Sequence, residues 1–129
     1  MNFVKPNHMT RTLAIAALWI TSIFVSRGSE TLIYKTAGDQ PLKMLVDKPA
    51  DWKASDKRPG IVFFFGGGWV GGSVAQFQRH CAYLASRGMV GIRVDYRVIP
   101  KGDAGPPVMC VADAKSAMRY VRAHASGLG

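Results

Sequence analysis

Residues 63–73 read FFFGGGWVGGS, with five glycines between positions 66 and 72. Glycine loses more conformational freedom on folding than any other residue, so such a cluster marks a turn whose bare backbone must come close to something. Backbone N–H groups left open by a turn bind negatively charged oxygen, whether on a pyrophosphate, a carboxylate or the oxyanion of acyl transfer.

Three chemistries fit this turn to different degrees. Gly66, Gly68 and Gly71 spell G-x-G-x-x-G between a strand and a helix, and Asp95 follows Gly71 by 24 residues. That is near the place of a ribose-binding acid in dinucleotide folds. Against it, the helix is expected to open at Ser73, after the third glycine, and Trp69 would crowd a pyrophosphate. GGSVA loosely imitates a nucleophile elbow, but an elbow places its serine on the turn directly after the strand, and Phe65 ends the strand eight positions before Ser73. Ser73 and Gln76 instead have the S-x-x-Q spacing of a helix capping box. The third chemistry is an oxyanion hole, which needs donors on a loop without obstructing side chains.

No other constellation competes. His8, His80 and His124 stand apart from other ligand types, and no metal-ligand spacing is present, so neither a metal nor a cofactor is expected. Asp95 reads as a structural acid at a strand end before a general base. Asp113 reads as a first-turn helix acid, and pairing with Arg97 would tie the loop to that helix.

The elements that must position the turn follow from periodicity. TLIYK and LKMLVDKP alternate around AGDQ and predict a hairpin over residues 31–49; ADWKASDKRP is a polar connector. GIVFFF (60–65) is apolar throughout, as in a strand buried on both faces. A helix is expected from Ser73, with Phe77, Cys81, Leu84 and Ala85 inward and Arg87 and Gly88 closing it. MVGIRVDY (89–96) is the next strand. A second helix runs from about Val108 to His124, with Val111, Ala114, Met118 and Val121 inward and Lys115, Arg119 and Arg122 in water. Strand, helix, strand, helix after a hairpin begins an α/β sheet.

Composition sets the outer limits. The 129 residues, 48% hydrophobic and 19% charged, make at most one folded domain. Lys5 and Arg11 precede the apolar run LAIAALWITSIFV, and SRGS follows: a secretory signal peptide over residues 1–28, with Ser26 and Gly28 before the cleavage point. The run is short for a membrane span, which makes an uncleaved anchor the lesser reading. Export to the periplasm or the outside is the expected localisation. Loss of Lys5, Arg11 and Arg27 lowers the formal charge from +9 to +6. The remaining cations are scattered without interleaved aromatics, which argues against nucleic acid.

GGGW after an apolar strand resembles the HGGGW segment of α/β-hydrolases, in the esterase/lipase branch related to hormone-sensitive lipase. The resemblance continues through DYR (95–97) and the helix VADAKSAMRYVRAHA (111–125), and covers residues 31–129. It implies carboxylic-ester hydrolysis of small-molecule esters, with Gly67 and Gly68 as oxyanion donors, Gly66 setting the turn, and Trp69, Asp95, Arg97 and Asp113 supporting the pocket and loop. Phe65 stands where the family has histidine. The resemblance also implies that residues 29–129 are the N-terminal part of a hydrolase domain. The nucleophile elbow, acid and histidine lie beyond Gly129, so the chain by itself is expected to be inactive. In the family's order the two helices flank opposite faces of the sheet, which keeps Cys81 and Cys110 apart as free thiols. A non-catalytic module that uses the glycine loop to bind a carboxylate or carbonyl ligand is the alternative, with a dinucleotide-binding oxidoreductase domain third.

Overall fold

The computed structural model describes residues 28–129, and the leader expected over residues 1–28 falls outside them apart from Gly28. The alternating segments pair as an antiparallel hairpin, β1 (Glu30–Ala37) and β2 (Gln40–Asp47), joined at Gly38 and Asp39. Alternation sends Leu42, Met44 and Val46 into the core. After the connector come β3 (Gly60–Phe64), a 3₁₀ turn (Val74–Phe77), α1 (Gln78–Ser86), β4 (Val90–Val94), α2 (Val108–Ala123) and the single turn α3 (Ala125–Leu128).

The sheet order is β1-β2-β4-β3, with β3 and β4 parallel and β2 antiparallel to β4. β4 is buried along its whole length because both of its faces are covered. Val90, Ile92 and Val94 pack with Ala117 of α2 and Leu128 of α3. On the other face, Gly91 lies against Cys81 of α1, and a Cβ there would come within 2.8 Å of the Cys81 sulfur. Arg93, also on that face, pairs with Asp47 at 3.0 Å and donates to the carbonyl of Val74. The helices therefore flank opposite faces, as the crossover rule requires. Cys81 and Cys110 are both buried free thiols, separated by the sheet. Burial first, then the charge of Asp47, pushes the Cys81 thiol up to about 11, which leaves it an unreactive packing group.

β3 lies at the edge of the sheet among the described residues and is only partly covered, with Ile61 37% exposed. One expectation needs correction. The stripe expected on α2 is turned by about one residue. The positions seated on the sheet are Cys110, Asp113 and Ala117, whereas Val111 remains 39% exposed. The physical reason is that α2 has a second apolar face. Val111, Ala114 and Met118 border a groove of about 480 Å³ whose other wall is Phe64, Trp69 and Tyr96. Counting apolar residues at helical spacing finds both faces and cannot rank them.

Candidate active site

The glycine turn leaves the end of β3, where parallel strands of α/β sheets present their ligand sites. Its shape depends on backbone that side chains rarely adopt: φ is +148° at Gly67, +62° at Gly68, +72° at Trp69 and +114° at Gly72. Gly67 and Gly72 are further constrained by close approach. A Cβ on Gly67 would run into the carbonyl of Gly71, and one on Gly72 into the carbonyl of Gly66 and the ring of Phe65. Trp69 is the one non-glycine residue with positive φ among the described residues. Its carbonyl accepts from the Ile99 N–H at 2.9 Å, and its ring meets Tyr96 edge-on at 6.5 Å.

The turn's hydrogen bonds divide its glycines by role. The Gly66 N–H donates to Gln76 Oε1 at 2.7 Å and is therefore engaged within the fold. Val70 N–H closes the loop onto the Gly67 carbonyl at 3.2 Å. The N–H groups of Gly67 and Gly68 meet no acceptor among the described residues.

The region after the turn departs from the expected capping box. Ser73 Oγ accepts from the Ala75 N–H at 3.3 Å, but the segment it caps is the 3₁₀ turn, and α1 proper starts at Gln78. Gln76 turns away from Ser73 to reach Gly66. The third glycine of the G-x-G-x-x-G spacing thus lies seven positions before α1, and no glycine opens that helix as a dinucleotide site requires.

Around the turn stand the other expected residues. Arg97 forks onto Asp113, with Nε to Oδ2 and Nη2 to Oδ1 both at 2.8 Å, so the expected pair is present. The Arg97 backbone N–H adds a bond to Oδ2 at 3.3 Å, and Lys35 of β1, which carries no signal in the sequence, makes a fourth contact at 2.7 Å. Burial alone would raise the fully buried Asp113 carboxyl, but hydrogen bonds from Arg97 and Lys35 outweigh it and hold the pKa below the usual range. Asp95 contributes backbone: its N–H donates to the Lys43 carbonyl, and its carbonyl accepts from the Tyr34 hydroxyl. Asp95 is exposed, yet partial desolvation still raises its pKa against the pull of Lys43. His80 packs beside Phe63 and Phe77 and lies apart from the turn, and His124 stacks on Tyr120. No group of three metal-ligating side chains occurs among the described residues.

A sheet flanked by helices on both faces, with an open pair of glycine N–H groups at the end of its parallel edge strand, defines the fold of an esterase-like α/β-hydrolase. The BD-FAE family matches residues 47–129, and the chain belongs to that family. No curated protein matches it. Among solved structures it is similar to Thermogutta terrifontis esterase 2 phosphorylated by paraoxon, with 52% identity and a TM-score of 0.74 over 81% of this chain and 40% of that one. The same Planctomycetes esterase with butyrate bound is 51% identical, with a TM-score of 0.74 over 81% of this chain and 37% of that one. With propionate bound, the values are 51%, 0.73, 81% and 38%. The chain therefore spans about 40% of the length of the structures it matches.

Proposed function

We propose that residues 29–129 form the oxyanion-binding part of a carboxylic-ester hydrolase that acts on small esters with short acyl chains, acetylated carbohydrates included. The observation that carries this reading is the pair of unengaged N–H groups at Gly67 and Gly68, on a loop whose path leaves no room for a side chain at Gly67 or Gly72. Two such donors, fixed before the reaction, stabilise charge that appears on the carbonyl oxygen when a nucleophile attacks it. Propionate and butyrate in the similar esterase support a short acyl group. The serine, its histidine and the acid belong to a segment beyond Gly129. The unpaired edge of β3 and the apolar groove beside α2 are the surfaces on which that segment would add its strand.

The test is a chimera in which residues 29–129 replace the matching N-terminal part of Thermogutta terrifontis esterase 2. The chimera should hydrolyse p-nitrophenyl butyrate, while the chain alone should stay at background. Turnover by the chain alone would reveal a nucleophile among its own residues. A folded chimera without turnover would instead favour the non-catalytic module.

We also propose export, on the strength of the charged, apolar and small-residue layout of residues 1–28. Mass spectrometry of the protein secreted by an expressing cell should place the mature N-terminus at Ser29; retention of residue 1 would count against a cleaved leader.

A further inference from the structure

A loop of consecutive glycines has cheap alternative conformations, so its donors are useful only if something sets the first peptide plane. That plane is held from both sides. The C=O of Phe65 and the N–H of Gly66 belong to one rigid, planar unit and point in opposite directions. Tyr96 Oη donates to the Phe65 carbonyl at 2.5 Å, and Gln76 Oε1 accepts from the Gly66 N–H at 2.7 Å. With both ends engaged, one by a buried and one by an exposed hydrogen bond, rotation of the plane about its Cα–Cα axis is opposed, and the next N–H groups, at Gly67 and Gly68, inherit a preferred starting direction.

Each half of the clamp has its own support. The Tyr96 ring stacks on Phe65 with centroids 4.2 Å apart and planes 15° from parallel, and both residues are buried. Burial also pushes the Tyr96 phenol up, further from ionisation. Gln76 sits in the 3₁₀ turn that Ser73 caps, with its own N–H on the Ser73 carbonyl at 3.1 Å. Phe65, in the place of the histidine of the HGGGW segment, supplies the stacking surface while its backbone carbonyl supplies the acceptor.

We infer that Gln76 and Tyr96 are positioning residues of the oxyanion loop, acting through the single peptide plane between Phe65 and Gly66. The inference rests on the esterase reading, and the experiment separates the two. Gln76→Met keeps length and removes the acceptor; Gln76→Glu keeps an acceptor; Tyr96→Phe keeps the stacked ring and removes the donor. In ¹H–¹⁵N spectra of the chain, Gln76→Met should shift the Gly66 amide upfield and cut its exchange protection at least tenfold, and Gln76→Glu should restore both. In the chimera, Gln76→Met and Tyr96→Phe should each lower kcat about tenfold with KM within twofold, the pattern of an interaction felt mainly in the transition state. Their effects should combine less than additively, because both act on one plane. An unmoved Gly66 amide, or a moved amide with unchanged kcat, would overturn the positioning role while leaving the esterase reading intact. An unsubstituted chimera that folds and hydrolyses no ester would overturn the esterase reading first, and the inference with it.

Discussion

Alanine at Gly67 is expected to lower kcat of the assembled esterase by about 10²–10³-fold, the usual effect of losing one oxyanion donor. KM should change far less, because the ground-state carbonyl calls on the same donors only weakly. At φ +148° an L-residue is strained before any contact is counted. The added Cβ would also strike the Gly71 carbonyl and sit 3.3 Å from the Gly72 nitrogen. Both neighbours are backbone of the same turn, so the methyl group is accommodated only if the turn opens and its N–H groups lose their aim. Gly68→Ala provides the contrast. Its φ of +62° costs about 1–2 kcal/mol in a left-handed conformation, but its Cβ meets nothing within 4 Å. The turn can keep its shape there, as it does around Trp69 at +72°. Gly68→Ala should therefore lose less activity than Gly67→Ala and lower the melting temperature less, since its methyl group meets no backbone of the turn. Steady-state kinetics on the chimera decide the matter. A Gly67→Ala enzyme within threefold of the parent would remove Gly67 from the oxyanion site.

What could be read from the residues, and what could not, divides along the range of the interaction. The hairpin, β3 and the glycine turn follow from neighbours in sequence: alternation, a continuous apolar run, and glycines where φ must be positive. Arg97 and Asp113 sit 16 residues apart across one loop, so their pairing was a short extrapolation. Gln76 shows how a local pattern misleads. Its spacing from Ser73 fits a capping box, yet its side-chain oxygen accepts from the Gly66 N–H ten residues earlier, a partner that helical spacing does not point to. Lys35 lies 78 residues from Asp113, and only the packing of β1 beneath α2 brings them together. The α2 stripe failed for a related reason. Apolar side chains at Val111 and Met118 border a groove and not the sheet, and periodicity carries no information on which apolar face finds a partner.

Removing the carboxylate of Asp113 is expected to have the largest effect on stability, about 3 kcal/mol for Asp113→Ala. Asp113 is wholly buried, while Lys35 and Arg97 keep 28% and 29% of their side-chain surface. Breaking a buried ion pair commonly costs about 3–5 kcal/mol because a charge is left unpaired in low dielectric. Here the orphaned charges retain some water, which puts the cost at the low end. For a domain of this size that corresponds to a fall of roughly 12–24 °C in melting temperature. Arg97→Ala should cost less, because Lys35 remains on Asp113 Oδ1. The sign of the pH dependence follows from the depressed carboxyl. A group whose folded pKa lies below its unfolded value contributes its full stabilisation above the unfolded value, about 3.9 for aspartate. That contribution is lost as pH falls through the depressed folded value. Asp113→Asn, which cannot ionise, is the reference. The stability gap between the parent and Asp113→Asn should be flat from about pH 5 to 8 and close progressively below about pH 4. Urea unfolding of both proteins across that range measures it. A gap that persists unchanged at pH 2–3 would mean that shape, and not charge, makes Asp113 matter. In that case the loop carrying Tyr96 to the glycine turn would owe its place to packing alone.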